Sequence, residues 1–397
     1  MQSLHLIDEP AAQRSRRFAL WQLGFRPFYL LASAFAALSI PLWALQFAGV
    51  LHHPYLAGPL WHAHEMLFGF ALAVIVGFLF TAGRNWSNQA TPSGATLAAL
   101  AGLWLVGRVL MMTSFGWAAA AANVAFPLAA AVALAIPFIK ARNRRNYFFV
   151  GLLVLLSAAA GFFHLAQLGV VGPLPPGAGV QFGLDVVLFI ASVMAGRVVP
   201  MFTNNGVPGA AADRKPFVEK AALGLVLALL IADASGLNGL PLVAVAVSAA
   251  VAHGIRWLLW HPWSVRKVPL VWILHLAYLW VPIHLALRAC AELGIASSSA
   301  ATHALTVGAI GGLIIGMMTR TARGHTARPL RADRFDVSCY VLVLAAAFVR
   351  VVVPLLAPSE SLLAIGLSAV LWSGGFGLYA LHYWPALTRA RLDGKPG

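Results

Sequence analysis

The sequence predicts an all-α, polytopic membrane protein of about twelve transmembrane helices, and three observations predict it. Hydrophobic residues make up 60% of the 397 positions and charged residues only 10%, whereas a soluble domain carries about a quarter charged residues. Apolar runs long enough to cross a bilayer recur from end to end. The basic residues punctuate those runs instead of gathering on one patch. The net charge of +15 therefore reads as membrane topology, and nucleic acid is excluded as a partner.

A spanning helix needs about 20 apolar residues. Runs of that kind fall at 26–48, 66–83, 93–114, 116–139, 147–169, 180–201, 217–235, 239–259, 268–290, 303–319, 335–357 and 361–384. The narrowest cut lies between the third and fourth, where only Thr113 to Trp117 intervene. Placing Arg14, Arg16 and Arg17 in the cytoplasm puts the even-numbered loops there too. These hold Arg84, Lys140 to Arg145, Arg214 and Lys215, Arg266 and Lys267, and Arg320 to Arg334. Counting span ends near the inner surface and the tails as well, 23 of the 27 basic residues sit on or near the inner side, and the remaining four, Arg26, Arg108, Arg288 and Arg350, fall within or near spans. This bias orients both ends inward. The chain reads as one transmembrane domain over 1–397, with cytoplasmic tails at 1–20 and 386–397, and no cleavable signal is expected before the first span. Cys290 and Cys339 lie far apart in apolar surroundings, without a CxxC pair, so no disulfide framework or thiolate metal site is argued.

A weak internal echo runs through the second, sixth and tenth spans. His64, Asp185 and His303 stand near their outer ends, with steps of 121 and 118 residues, and His164 and His284 are 120 apart. Three repeats of four helices would give this period, although any twelve-helix chain shows a period of a third of its length. Three four-helix arcs are also the plan of the catalytic subunit of haem–copper oxidases, where histidines on the second and tenth spans hold a haem. His64 and His303 fall on those spans, a parallel of fold alone.

Ionisable groups inside a membrane are costly and point to function by default. The outer half of the chain holds His52, His53, His62, His64, His164, His284 and His303, with Glu65, Asp185, Arg108 and Arg350 at comparable depth. Imidazole suits haem iron and copper alike. A single intramembrane histidine is more often an interhelical contact, but the outer cluster as a whole argues for ligation. In Trp61-His-Ala-His-Glu-Met66 the two histidines point to nearly opposite faces of a helix and do not easily chelate one ion. His52 and His53 read as solvated loop residues. His275 and His325 lie toward the inner side and mark a second candidate site for haem or quinol. Gly308, Gly312 and Gly316 form a face that admits another helix or a flat macrocycle.

Several long motifs resemble the NnrS family. They are Gly24-Phe-Arg-Pro-Phe28, Trp61-His-Ala-His-Glu-Met-Leu-Phe-Gly69, Gly196-Arg-Val-Val-Pro-Met-Phe-Thr203, His303-Ala-Leu-Thr-Val-Gly-Ala-Ile-Gly311, Gly316-Met-Met-Thr-Arg320 and Gly324-His-Thr-Ala-Arg-Pro329, with Ala327 where Gly is expected. The resemblance implies a bacterial inner-membrane protein of twelve spans that contains haem and copper and acts in denitrification or nitric-oxide stress. Its motif histidines are His62, His64, His303 and His325, with His164 and His275 in less distinctive surroundings. The resulting expectation places His64 and His303 as axial ligands of one haem b. His62, His164 and His284 would hold a second metal, copper, with Glu65 and Asp185 orienting imidazoles and Arg108 and Arg350 neutralising propionates. Three functions fit: nitric-oxide binding, reduction or protection of iron centres, with a reductase-like oxidoreductase as one form; quinol-linked electron transfer across the bilayer; or a twelve-helix transporter.

Overall fold

The computed structural model describes residues 18–51, 55–56, 58–172 and 177–395. His52 and His53 lie outside them, as does most of the N-terminal tail. Among the described residues there are twelve long helices: α1 Phe25–Phe47, α2 Gly58–Ser87, α3 Gly94–Leu110, α4 Gly116–Lys140, α5 Tyr147–Gln167, α6 Ala178–Gly206, α7 Pro216–Ala234, α8 Leu240–Leu259, α9 Pro269–Glu292, α10 Ser298–His325, α11 Arg334–Leu356 and α12 Ser361–Thr388. No strand forms among them, only an isolated bridge between Phe18 and Arg389. Ten of the helices are long and apolar enough to cross a membrane; α3, at 17 residues, and α7, at 19, are the two others. The chain is thus a polytopic all-α membrane protein.

The pattern that makes these helices is visible on α4. Leu128, Val132, Ile136 and Ile139 form an exposed apolar stripe, while Phe126, Ala130, Leu134 and Phe138 are buried. Both stripes follow helical spacing, so one side of an all-apolar helix faces lipid and the other faces protein. Prolines interrupt several helices without ending them, at Pro41, Pro127, Pro137, Pro200, Pro282, Pro354 and Pro385, as membrane helices tolerate. The cut between the third and fourth spans is real: α3 stops at Leu110, and Thr113 accepts from the Phe115 N–H in the turn before α4.

The expected boundaries err where polar residues enter a helix. The second span, expected over 66–83, runs over Gly58–Ser87, and the tenth, expected over 303–319, runs over Ser298–His325. The apolar runs end at polar residues, Glu65 and Arg84 in the second span and Thr302 and Arg320 in the tenth, and the helices continue past them. Both helices also contain a π-helical segment, Glu65–Ala71 in α2 and Ala304–Gly311 in α10. Each begins directly after a histidine, His64 and His303. Such wide turns often mark functional sites. The sixth span, which the threefold period would make equivalent, is described as α-helix throughout Ala178–Gly206.

The packing groups the chain into two compact units. The first contains residues up to Gly183, Arg320–Leu330 and the chain from Tyr379. The second contains Leu184–Thr319 and Arg331–Leu378. In the first, α4 packs along α5 and against α2 and α3, and α1 lies along α2. Gly24 and Gly77 bring α1 and α2 into close approach, since a Cβ at Gly77 would stand 2.8 Å from the Phe28 Cβ.

In the second unit α9 packs on α8 and on α10. The glycine face of α10 is filled by α9: Trp280 covers Gly308, Ala277 covers Gly312, and Leu274 and Ile273 cover Gly316. The stripe therefore serves helix packing. A buried network that the sequence reading missed ties α6, α7, α8 and α9. Arg256 grips Glu219 with Nε to Oε1 at 2.8 Å and Nη2 to Oε2 at 2.7 Å, and donates from Nη1 to the Ser192 carbonyl and the Tyr278 hydroxyl, both at 2.9 Å. Tyr278 in turn meets His253 Nδ1 at 2.6 Å, and His253 Nε2 donates to the Ala222 carbonyl at 3.2 Å. Gly196 makes the room: a Cβ there would overlap Arg256 Nη2.

Gly196→Ala should therefore expel Arg256 from Glu219. Breaking a buried pair costs about 3–5 kcal/mol, so the purified variant should unfold at a clearly lower temperature than the parent. An unchanged melting temperature would mean that the network contributes little.

Candidate functional site

The first unit concentrates its buried polar side chains where α2, α3, α4 and α5 meet. His64 and Glu65 come from α2, Arg108 from α3, Asn123 from α4, His164 from α5, and Tyr55 from the segment before α2. His64, Glu65 and His164 are fully buried, and Arg108 and Asn123 nearly so.

A buried carboxylate must be paired. Glu65 Oε1 accepts from Arg108 Nη1 at 2.6 Å and from His64 Nδ1 at 2.8 Å. Arg108 Nη2 donates to Asn123 Oδ1, and Asn123 Nδ2 donates to the Ala119 carbonyl at 2.8 Å. The Arg108 guanidinium lies near the Phe35 and Trp104 rings at 5.9 and 5.8 Å. It also passes over the glycine of the π-helical turn: a Cβ at Gly69 would stand 2.6 Å from Arg108 Nη1. The Trp104 indole donates to the Gly69 carbonyl at 2.9 Å.

Because Glu65 holds His64 Nδ1–H, the His64 lone pair is on Nε2. That nitrogen faces His164 Nε2 at 3.1 Å. On the far side of His164, Nδ1 meets the Tyr55 hydroxyl at 2.7 Å, with the two rings stacked at an interplanar angle of 6°. Phe68 and Phe163 pack on the His64 ring, each with centroids 5.1 Å away. Two imidazoles thus turn their Nε2 atoms to one point in an aromatic enclosure, and each has its Nδ1 fixed by a hydrogen-bond partner.

Of the residues expected from sequence, this site brings together His64, His164, Glu65 and Arg108. Arg108, expected beside propionates, has its terminal nitrogens engaged by Glu65 and Asn123. His62 turns elsewhere, its ring 4.9 Å from that of Trp43. Tyr55 and Asn123 were missed. Asn123 sits in no charged or histidine-rich motif, and Tyr55 follows His52 and His53, which read as loop residues; only the fold brings the two near Arg108 and His164.

The remaining expected residues divide between the units. In the second, His284 Nδ1 donates to the Ala301 carbonyl at 2.7 Å, while its buried Nε2 has no hydrogen-bond partner among the described residues. His303, half-buried, donates from Nδ1 to the Ser299 carbonyl at 2.7 Å, and Arg350 donates to the Ser299 hydroxyl at 3.1 Å. His284, His303 and Arg350 therefore all address the first turns of α10. Asp185 lies 4.0 Å from Arg288, which also pairs with Asp233. His275 Nε2 meets the Thr203 hydroxyl at 2.8 Å. His325 belongs to the first unit, with its ring 5.6 Å from that of Phe25.

No curated protein matches the chain. The family described as NnrS protein matches residues 19–391. That match takes in the π-helical turn after His64, the His64–His164 pair and the glycine-lined start of α10, and on it this chain belongs to the NnrS family.

Proposed function

We propose that the protein holds copper between His64 and His164 and haem b on imidazoles of the second unit, as a metal protein of the bacterial inner membrane. Family membership supports a role in the nitric-oxide response, and the metal centres are our account of how that role is carried out. The observation behind it is the approach of His64 Nε2 and His164 Nε2 at 3.1 Å with both Nδ1 atoms tied. Two nitrogens bound to one ion at about 2.0 Å stand roughly 3 Å apart when the angle at the ion is near a right angle. Ligating imidazoles are oriented in general by a carboxylate, carbonyl or hydroxyl on the other ring nitrogen, which are the places of Glu65 and Tyr55 here.

The residues' own work follows from their tautomers. Without an ion, the consistent arrangement runs from Glu65, accepting from His64 Nδ1–H, through His64 Nε2, accepting from His164 Nε2–H, to His164 Nδ1, accepting from Tyr55 O–H. To ligate through Nε2, His164 moves its proton to Nδ1 and the Tyr55 hydroxyl turns from donor to acceptor. Glu65, held by Arg108 at 2.6 Å, accepts from His64 Nδ1–H and so keeps the His64 lone pair on Nε2. Copper supplies a redox-active centre able to bind a small neutral molecule such as nitric oxide. For haem, the residues that fit are His284 and His303. A backbone carbonyl accepts from Nδ1–H of each, so that the lone pair lies on Nε2, with Arg350 on Ser299 as a cation for a propionate. The positive-inside bias places both chain ends in the cytoplasm in this reading.

A second reading has its own observation. The unbroken alternation of donors and acceptors from Glu65 to Tyr55 also suits a proton relay, as quinol-linked electron transfer or transport would need.

Elemental analysis of the purified protein separates the two. Copper should be present in the parent and lost in His64→Ala and His164→Ala, while His62→Ala retains it. Copper unchanged in both of the first two variants would leave the relay. Tyr55→Phe, which removes the acceptor for His164 Nδ1–H, should weaken copper affinity by about 10–100-fold without abolishing it. For haem, His284→Ala and His303→Ala should lose the Soret band of the dithionite-reduced protein. A band of full intensity in both would reject that assignment.

A further inference from the structure

The sequence motif around Arg26 is not used by the metal reading, and its surroundings are unusual. Arg26 lies in the first turn of α1, where the helix dipole disfavours a cation, yet it is fully buried. Its Nη1 caps the end of α12, donating to the carbonyls of Ala386, Leu387 and Arg389 at 3.2, 3.1 and 2.7 Å. That contact accounts for one nitrogen. Nε and Nη2 are buried with no hydrogen-bond partner among the described residues. These two nitrogens form the side edge of the guanidinium, the edge with which Arg256 clamps both oxygens of Glu219 in the second unit.

Around this edge the first unit gathers further positive charge. Arg328 and Arg391 act electrostatically on Arg26, and Arg323 and Arg389 on Arg328. Arg26, Arg84 and Arg391 all act on His325. Arg328 Nη1 is also buried without a hydrogen-bond partner among the described residues, and burial together with Arg323 and Arg389 lowers the Arg328 pKa. The carboxylate in this group, Asp393, is held by both Nε and Nη2 of Arg391 at 2.9 and 2.8 Å. Cations placed only by topology sit solvated at the membrane surface, whereas these donors have been taken out of water with no anion among the described residues to receive them. The same unit holds a cleft of about 350 Å³ lined by Phe18, Trp21, Gln22, Arg84 and Ser93. It shares the Phe18–Ala19 segment that pairs with the end of α12, where Arg26 is anchored.

We infer that Arg26 and Arg328 form an anion site for a phosphate group, carried either by an anionic lipid headgroup or by a free phosphate. The planar two-donor edge of Arg26 matches two oxygens of one phosphate. The surrounding arginines supply the positive charge that balances a phosphate anion. The site is independent of the metal reading, because it uses neither histidine pair.

The test is thermal unfolding of the purified full-length protein. One arm titrates inorganic phosphate in detergent against sodium chloride of equal ionic strength. The other compares nanodiscs of phosphatidylglycerol with nanodiscs of phosphatidylcholine. A saturable rise in melting temperature with phosphate identifies a free phosphate, and a rise with phosphatidylglycerol alone identifies the lipid. In either case Arg26→Lys, which keeps the charge and the carbonyl cap but lacks the two-donor edge, should weaken the effect at least tenfold in ligand concentration. Arg328→Gln, which leaves the α12 cap intact, should do the same. No stabilisation in either arm beyond the chloride and phosphatidylcholine controls would overturn the site, as would an undiminished response in both variants.

Discussion

The ion pair between Glu65 and Arg108 is the constraint on which the candidate site depends. In a low-dielectric interior neither charge is tolerable alone. Their union at 2.6 Å fixes the position of α2 against α3, and through Asn123 it also reaches α4. It sets the chemistry of His64 too: the ionised carboxylate claims Nδ1–H, which leaves Nε2 as a lone pair facing His164. The π-helical turn that begins at Glu65 and the missing Cβ at Gly69 belong to the same arrangement, because the guanidinium occupies the space over that turn.

The second unit handles its buried charge differently. Every guanidinium nitrogen of Arg256 is engaged, on Glu219, Ser192 and Tyr278, and Tyr278 meets His253. That network is complete, which is the signature of a structural tie. His284 of α9 is incomplete by comparison, since its buried Nε2 has no hydrogen-bond partner among the described residues. Arg26 shows the same contrast in the first unit, with one nitrogen used as a helix cap and an unused two-donor edge. The complete network of the second unit holds helices together, and the incomplete groups in both units are where a ligand has something to add.

Much of the architecture was legible in the sequence because lipid imposes it. A run of apolar residues has one folded option in a bilayer, so the twelve helices follow from hydropathy. Errors arose at α2 and α10, where polar residues such as Glu65, Arg84 and Arg320 cut the hydropathy window short while the helix ran on. The site was partly legible. His64, Glu65, Arg108 and His164 stood out because ionisable residues inside spans are rare. Tyr55 and Asn123 did not, being ordinary residue types whose roles arise from partners 109 and 15 positions away. The network of Arg256, Glu219 and Tyr278 was hidden for the same reason.

The sequence alone determined the solvent, the number of helices, the family resemblance and the set of costly buried groups, since each of these follows from local composition and motif. Only the tertiary structure decided which groups meet. It turned His64 toward His164, set His62 against Trp43, filled the glycine stripe of α10 with side chains of α9, and left the Arg26 edge unclaimed. The physical reason is that hydrogen-bond and ion-pair partners are chosen by distance and direction across helices, and linear spacing carries neither.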